Sequence, residues 1–186
     1  MLVLQMLSPS VASRLFLAAK PKPAPAPEPA PAPKKSKCKA GSKAELVFVL
    51  DSSTSVGASN WRLELKFLSD IVKHLHIGAE EVRVGLVTYN TEATVQFGLS
   101  SHTSKAALLS AIGSVKFSEG ITATGDALAL ARTSVLSKAR AGVPKIVILI
   151  TDGRTNFGAD PLKEAAKLKA AGVTVVSVGI TNEVNK

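Results

Sequence analysis

Oxygen-bearing side chains cluster at three places along this chain of 186 residues. The first is 51–55 (DSSTS), directly after an apolar run, and the second is 120–125 (GITATG). The third is 151–153 (TDG), which follows another apolar run. Because these segments contain carboxylates and hydroxyls but no histidine or cysteine, they suit Mg²⁺, Mn²⁺ or Ca²⁺ better than zinc. The segments therefore predict a site for a hard divalent cation.

The spacing within the first segment has a simple geometric reason. Alternate residues of an extended segment point the same way. We therefore expect Asp51, Ser53 and Ser55 to converge, while Ser52 and Thr54 point elsewhere. Because only two carboxylates accompany the neutral hydroxyls, the cation should keep Lewis acidity, and a carboxylate of another molecule can join it. Nothing in the set supplies a general base or a nucleophile, and the pattern favours metal-bridged binding.

The elements that must position these segments alternate between strands and helices. Continuous apolar runs at 46–50 (LVFVL) and 145–150 (KIVILI) predict strands that are buried on both faces. Strands separated by amphipathic helices predict an α/β fold with a doubly wound, mainly parallel sheet. The short loop between 82–89 and 93–97 forces a hairpin, so one edge strand is antiparallel. The other predicted elements are helices at 59–76, 104–115 and 125–138, a helix that starts at Asp160 and ends at Gly172, and a last strand at 173–180.

The three motifs and their order resemble the von Willebrand factor type A (vWA) domain family, across residues 44–180. DSSTS fits D-x-S-x-S, GITATGDAL fits G-x-T-x-T-G-x-A-L, and ILITDG follows a central strand. The resemblance implies a metal-ion-dependent adhesion site. Its ligands, carried over by position, are Asp51, Ser53, Ser55, Thr122 and Asp152, with Mg²⁺ (or Mn²⁺ or Ca²⁺) as the cation.

The sequences of these segments resemble those of extracellular-matrix members of the family, namely the matrilins and the A domains of non-fibrillar collagens. This implies an adhesion module that binds matrix proteins such as collagen through an acidic residue of the partner. Three alternatives stay open. The same loops could only cap helices and form turns, the metal site could be intact but not used by the partner, or the chain could be an intracellular vWA scaffold module in a multiprotein assembly.

An enzyme is the competing class of function. A phosphatase of the strand–Asp type would be phosphorylated on Asp51, and such enzymes usually carry a second Asp two residues further on. Here that position is Ser53, so the general acid is missing. The sequence therefore predicts a protein that is not an enzyme.

The net charge of +9 is unevenly distributed. Residues 1–43 hold eight basic residues and one acidic residue, a net +7, and residues 44–186 hold 15 basic and 13 acidic residues, a net +2. Because the excess lies outside the predicted fold, nucleic acid is not expected as a partner. No apolar stretch approaches the roughly 18 residues of a membrane span.

The amino-terminal third divides into two further predicted segments. Residues 1–19 are mostly apolar and end in small residues, which predicts a signal peptide and a secreted, extracellular matrix protein. Residues 20–43 form a linker rich in Pro, Ala and Lys, because proline at every second position from 21 to 33 favours an extended spacer. Residues 44–186 are the predicted vWA domain.

Two departures from the family bear on that domain. A complete member continues with another helix, a sixth strand and a closing helix, and these are expected to be missing after Ile180. Matrix members often pair a cysteine before the first strand with one after the closing helix, so Cys38, the only cysteine, is a possible disulfide partner. Both features predict an incomplete domain in a fragment, or alternatively a sheet that a partner chain completes.

Overall fold

The computed structural model describes residues 42–153 and 155–180. The predictions for the signal peptide, for most of the linker, for Cys38 and for residues 181–186 lie outside these residues.

The described residues form one mixed sheet of five strands, in the order β3-β2-β1-β4-β5. β1 pairs in parallel with β2 and β4, and β4 pairs in parallel with β5. The pair β2 and β3 is antiparallel. This confirms the predicted mainly parallel sheet with one antiparallel edge strand. The strands are β1 Ala44–Asp51, β2 Val82–Tyr89, β3 Ala93–Phe97, β4 Lys145–Thr151 and β5 Val173–Gly179.

Helices connect these strands and cover both faces of the sheet. α4 begins as predicted, since the Asp160 carboxylate accepts a hydrogen bond from the backbone N–H of Leu162 at 2.9 Å and Pro161 occupies the first helical position. The helices are α1 Gly57–Lys73, α2 Lys105–Ser114, α3 Thr124–Leu130 and α4 Pro161–Ala170.

The single helix that the sequence predicts over 125–138 changes its hydrogen-bond pattern part of the way along. After α3, the chain continues as a π-helical turn, Ala131–Val135, and a 3-10 turn, Leu136–Lys138. The Thr133 hydroxyl donates a hydrogen bond of 2.8 Å to the Ala129 carbonyl. Ala131 and Val135 of the π-helical turn remain in the apolar core through this change.

Two apolar layers enclose the sheet. On one face α1 and α2 contribute buried residues that include Trp61. On the other face α3, the π-helical turn and α4 contribute Leu128, Val135 and Leu168. Because β1 lies at the centre, its residues after Ala44 are all buried. The sheet thus holds the ends of its central strands in fixed positions.

A buried ionic cluster fixes the amino end of β1. Glu45 is fully buried, and its carboxylate lies 2.8 Å from Arg83 Nη2 and 2.6 Å from Arg140 Nε. Burial alone would raise the pKa of Glu45, but hydrogen bonds from Arg83 and Arg140 lower it below its usual value. This end of the sheet therefore has a structural role, opposite the end that carries the candidate site.

Within residues 42–153 and 155–180, none of the helices has both the length and the apolar character needed to cross a membrane.

Candidate metal centre

Asp51 lies at the point where three neighbouring strands end. It is the last residue of β1 and pairs in register with Tyr89, the last residue of β2. The Tyr89 hydroxyl donates to Asp51 Oδ2 at 3.2 Å, and the Thr151 hydroxyl at the end of β4 donates to the same oxygen at 2.9 Å. The backbone N–H of Ser53 donates to Oδ1 at 3.0 Å. The fully buried carboxylate is therefore held in one orientation from both sides.

The hydroxyls of the DSSTS segment meet as predicted, but residues 53–56 form a bend and a turn rather than the extended segment that the prediction assumed. The hydroxyls of Ser53 and Ser55 lie 3.1 Å apart. Ser52 turns away and donates to the Tyr89 carbonyl at 3.0 Å, while the Thr54 hydroxyl accepts from the backbone N–H of Gly120 at 3.1 Å. One set of side chains thus meets near Asp51, and the other fastens the segment to neighbouring loops.

The loop that carries Thr122 is tied to the loop that follows β4. The Thr122 N–H donates to Asn156 Oδ1 at 3.0 Å, and the Asn156 N–H donates back to the Thr122 carbonyl at 3.3 Å. A second contact lies at the start of α3, where a Cβ on Gly125 would meet the Ala159 carbonyl oxygen at 1.9 Å. Only glycine allows that approach, so the two loops are fastened to each other at two points.

Asp152, in the third predicted segment, follows the last residue of β4. The Thr151 hydroxyl accepts from the Gly153 N–H at 3.1 Å and donates to Asp51. Leu50 of β1 pairs with Ile150 of β4, so Asp51 and Asp152 lie at the ends of adjacent strands, and the charge of Asp152 contributes to raising the pKa of Asp51. The structure therefore brings the segments of all three motifs to the carboxyl edge of the sheet.

The electrostatics of the site favour a cation. Burial is the main cause that raises the pKa of Asp51, and hydrogen bonds from Ser53 and Thr151 oppose it. Burial also raises the pKa of Tyr89, so its hydroxyl stays protonated and acts as a donor. Two carboxylates in a poorly solvated place, with hydroxyls beside them, are suited to binding a hard divalent cation.

The described residues contain no group of three or more His, Cys, Asp or Glu side chains arranged to hold a metal ion. A cation at this edge would therefore depend on the hydroxyls as well as on the two aspartates. The donor set that the sequence predicts, which combines both kinds of oxygen, fits that requirement.

Three residues that shape the site were not predicted from the sequence. Tyr89 and Thr151 orient Asp51, and the signal that could have found them is their position at the ends of the strands on either side of β1. Glu64 of α1 is only 1% exposed, and burial and then the charges of Asp51 and Asp152 raise its pKa to about 9. Helical spacing could have predicted the burial of Glu64, because it lies three residues after Trp61 and four before Leu68 on the buried side of α1.

The chain is similar in sequence to several extracellular matrix proteins. The chain is 39% identical over 145 residues to the collagen alpha-4(VI) chain of Mus musculus, 36% identical over 149 residues to matrilin-1 of Gallus gallus, and 35% identical over 139 residues to vitrin of Homo sapiens. These alignments cover 75%, 78% and 75% of the chain, but only 6%, 30% and 20% of the relatives. The chain thus spans a minor part of each of these extracellular matrix proteins.

Solved structures give the same picture. Proximal thread matrix protein 1 (PTMP1) of the mussel byssus, with a zinc-occupied MIDAS motif, matches with a TM-score of 0.70 and 38% identity over 75% of this chain and 36% of that one. The manganese-loaded TRAP protein of Plasmodium vivax matches with a TM-score of 0.69 over 78% of this chain and 60% of that one. At 23% identity, the second match shows the fold alone.

The family model of the von Willebrand factor type A domain matches residues 45–186, which is most of the chain. The strand order, the three motifs at one edge of the sheet and the relatives all agree with that match. The chain therefore belongs to the von Willebrand factor type A domain family.

Proposed function

We propose that residues 44–186 are a vWA domain of a secreted matrix protein, and that it binds protein partners through a divalent cation. The observation that carries this proposal is the orientation of Asp51 by Tyr89 and Thr151, beside two serine hydroxyls that lie 3.1 Å apart. The proposed ligands are Asp51, Ser53, Ser55, Thr122 and Asp152.

In this proposal the protein orients the Asp51 carboxylate before the cation binds. Hydrogen bonds to Asp51 Oδ2 fix the carboxylate, and the Ser53 N–H fixes the other oxygen. When bound, the cation supplies a Lewis-acidic point to which an acidic side chain of a partner attaches. Because the ligands are all oxygens, we propose Mg²⁺, with Mn²⁺ or Ca²⁺ as substitutes. The zinc-occupied motif of the PTMP1 relative supports metal binding at this place in the fold.

Two exposed apolar side chains adjoin the proposed site. Ile121 is 43% exposed and Phe157 is 50% exposed. Each is next in sequence to one member of the Thr122–Asn156 pair, whose two hydrogen bonds bring their loops together. We refer to Ile121 and Phe157 as the apolar rim. A partner that presents an acidic side chain beside apolar ones would match both the cation and the rim.

The kinship with collagen VI, matrilin-1 and vitrin supports a matrix partner such as collagen and a secreted location. The apolar start at 1–19 is proposed as the signal peptide, and residues 20–43 as a linker to the domain. Cys38 in that linker is proposed as a possible disulfide partner.

We propose binding without catalysis, because the central groups of the site are not free to move protons. Both oxygens of Asp51 already accept hydrogen bonds from the protein. The raised pKa of Tyr89 prevents that hydroxyl from serving as a base near neutral pH.

The direct test uses the full chain on an immobilised collagen-type matrix. We expect binding in Mg²⁺, loss of binding in EDTA, and loss in Asp51→Ala, with circular dichroism showing that the variant remains folded. Asp70→Asn is the control, because it removes an exposed carboxylate that contacts Lys66 and Lys73 on α1. Binding that is the same in EDTA and in Asp51→Ala would overturn the proposal.

A further inference from the structure

Glu64 occupies a position in α1 that ordinarily requires an apolar side chain. The buried side chains of this helix are Trp61, Glu64, Leu68 and Val72, which follow one another at helical spacing on its core-facing side. The other three belong to the apolar core on that face of the sheet. Glu64, at 1% exposure, is the carboxylic acid among them.

Neither carboxyl oxygen of Glu64 has a hydrogen-bond partner among the residues that the structure describes. The other buried glutamates of the described residues differ: two arginines bind Glu45, and Arg132 and Lys167 bind Glu164. A buried polar group without a partner typically costs about 1–3 kcal/mol of stability, and more if it is charged. The contacts of Glu64 within the described fold therefore do not explain why a carboxylic acid is buried at this position.

The charges that act on Glu64 come from residues at the carboxyl edge of the sheet. Burial is the largest influence on its pKa, and the next two are the negative charges of Asp51 and Asp152. These are the two carboxylates of the proposed metal centre. Without a cation, all three influences oppose ionisation of Glu64. A divalent cation held by the two aspartates would offset their charges, so Glu64 would release its proton more readily and its carboxylate would then attract the cation.

We propose that Glu64 strengthens the binding of a divalent cation at the candidate metal centre through its charge, without being a direct ligand. This inference rests on the proposed function. A direct role is not favoured, since no three acidic or histidine side chains of residues 42–153 and 155–180 are arranged to hold a metal ion by themselves. A carboxylate that acts from behind the ligands adds attraction for the cation and leaves the outer positions open to a partner. Outer groups that orient metal ligands typically change metal affinity 10- to 100-fold, and Glu64 would act on the cation by its charge rather than by a hydrogen bond.

Isothermal titration of MgCl₂ and MnCl₂ into the EDTA-dialysed full chain tests this inference. We expect Glu64→Gln to weaken the affinity for both cations by about tenfold or more. The control Asp70→Asn removes a carboxylate from the surface of the same helix and should keep the wild-type affinity.

A second variant separates the electrostatic role from a loss of structure. Glu64→Met replaces the carboxyl with an apolar group of similar size, so the chain in EDTA should be more resistant to urea than wild type. We expect its Mg²⁺ affinity to fall as in Glu64→Gln, which a merely structural role would not produce. Wild-type affinity in both Glu64 variants would overturn the inference and leave the proposed metal site standing. If wild type and Asp51→Ala both fail to bind either cation, the proposed function itself is overturned.

Discussion

The Tyr89 hydroxyl donates a hydrogen bond of 3.2 Å to the carboxylate of Asp51, and the two residues pair in register at the ends of β2 and β1. Thr124 extends this contact, since its hydroxyl donates to the Tyr89 oxygen at 3.4 Å. The α3 end of the GITATG motif is therefore connected to Asp51 through one buried tyrosine. The proposed metal centre is a network between motifs that are far apart in sequence.

Tyr89→Phe tests that network, because it removes only the hydroxyl. We expect the free energy of unfolding to fall by about 1 kcal/mol as Asp51 loses one donor. Mg²⁺ affinity should weaken by about fivefold to tenfold, since Thr151 still holds the carboxylate. Urea denaturation and titration calorimetry measure the two effects. Unchanged Mg²⁺ affinity would show that the tyrosine does not help to orient the ligand.

Addition of Mg²⁺ should stabilise the folded chain. At a free concentration of 100 times the dissociation constant, we expect the free energy of unfolding to rise by about 2.7 kcal/mol, because the unfolded chain lacks the site. Asp51→Ala should show no such rise, whereas Asp70→Asn should behave as wild type. Urea denaturation in MgCl₂ and in EDTA measures the difference. An equal rise in Asp51→Ala would locate the stabilising cation elsewhere.

The raised pKa of Glu64 predicts a specific dependence of stability on pH in EDTA. The folded chain has a pKa of about 9 at this group, against an ordinary value of 4.5. Between these values the folded state binds more protons than the unfolded state, so stability falls as the pH rises. The slope that this group contributes is at most about 1.4 kcal/mol per pH unit.

Glu64→Gln isolates that contribution. Denaturation at several pH values in EDTA should show the variant gaining stability relative to wild type as the pH rises toward 9. Asp51, whose pKa is also raised, is present in both proteins, so the difference between the two curves reports on the carboxyl of Glu64 and on its interaction with Asp51. Parallel stability curves for the two proteins would contradict the prediction.

Substitutions in the apolar rim should weaken partner binding without changing the affinity for the cation. We expect Ile121→Ser and Phe157→Ser each to weaken adhesion to a collagen-type matrix by about tenfold, as each removes an exposed apolar contact of about 1–2 kcal/mol. Mg²⁺ affinity measured by calorimetry should stay at the wild-type value. Val176→Ser, an exposed position in the middle of β5, is the matched control. Equal adhesion in all three variants would exclude the rim from the partner surface.

The cluster at the opposite end of β1 should affect stability alone. Arg140→Met removes one of the two guanidinium partners of Glu45 and leaves a buried carboxylate less well compensated. We expect the free energy of unfolding to fall by about 3 kcal/mol. Mg²⁺ affinity at temperatures where the variant is folded should not change. A loss of affinity would show that the two ends of β1 are coupled.

The fold was largely predictable because its signals are local. The apolar runs that became β1 and β4, the short β2–β3 loop and the Asp160 cap each reflect neighbouring residues. The meeting of the Ser53 and Ser55 hydroxyls was also predicted, but it occurs in a turn that the Val56 N–H closes on the Ser53 carbonyl at 3.2 Å, and not in the extended segment that the prediction assumed.

The surroundings of the site were harder to predict because they depend on pairing between distant segments. The contact of Tyr89 with Asp51 requires the register of two parallel strands, which neither strand contains in its own sequence. Glu64 was missed because charged residues in an amphipathic helix are ordinarily assigned to the solvent side. The change from α- to π-helical pairing after Leu130 was not predicted, because buried apolar residues continue at helical spacing across it.

The paired hydrogen bonds between Thr122 and Asn156 have a consequence for recognition. Since the two loops are fastened together, and Gly125 brings their backbones into contact, Ile121 and Phe157 keep a set spacing before any partner arrives. Association then costs little additional loop entropy, and more of the contact energy is available as affinity. A partner would contact a preorganised surface. Such a surface favours rigid ligands, such as repetitive fibrous chains.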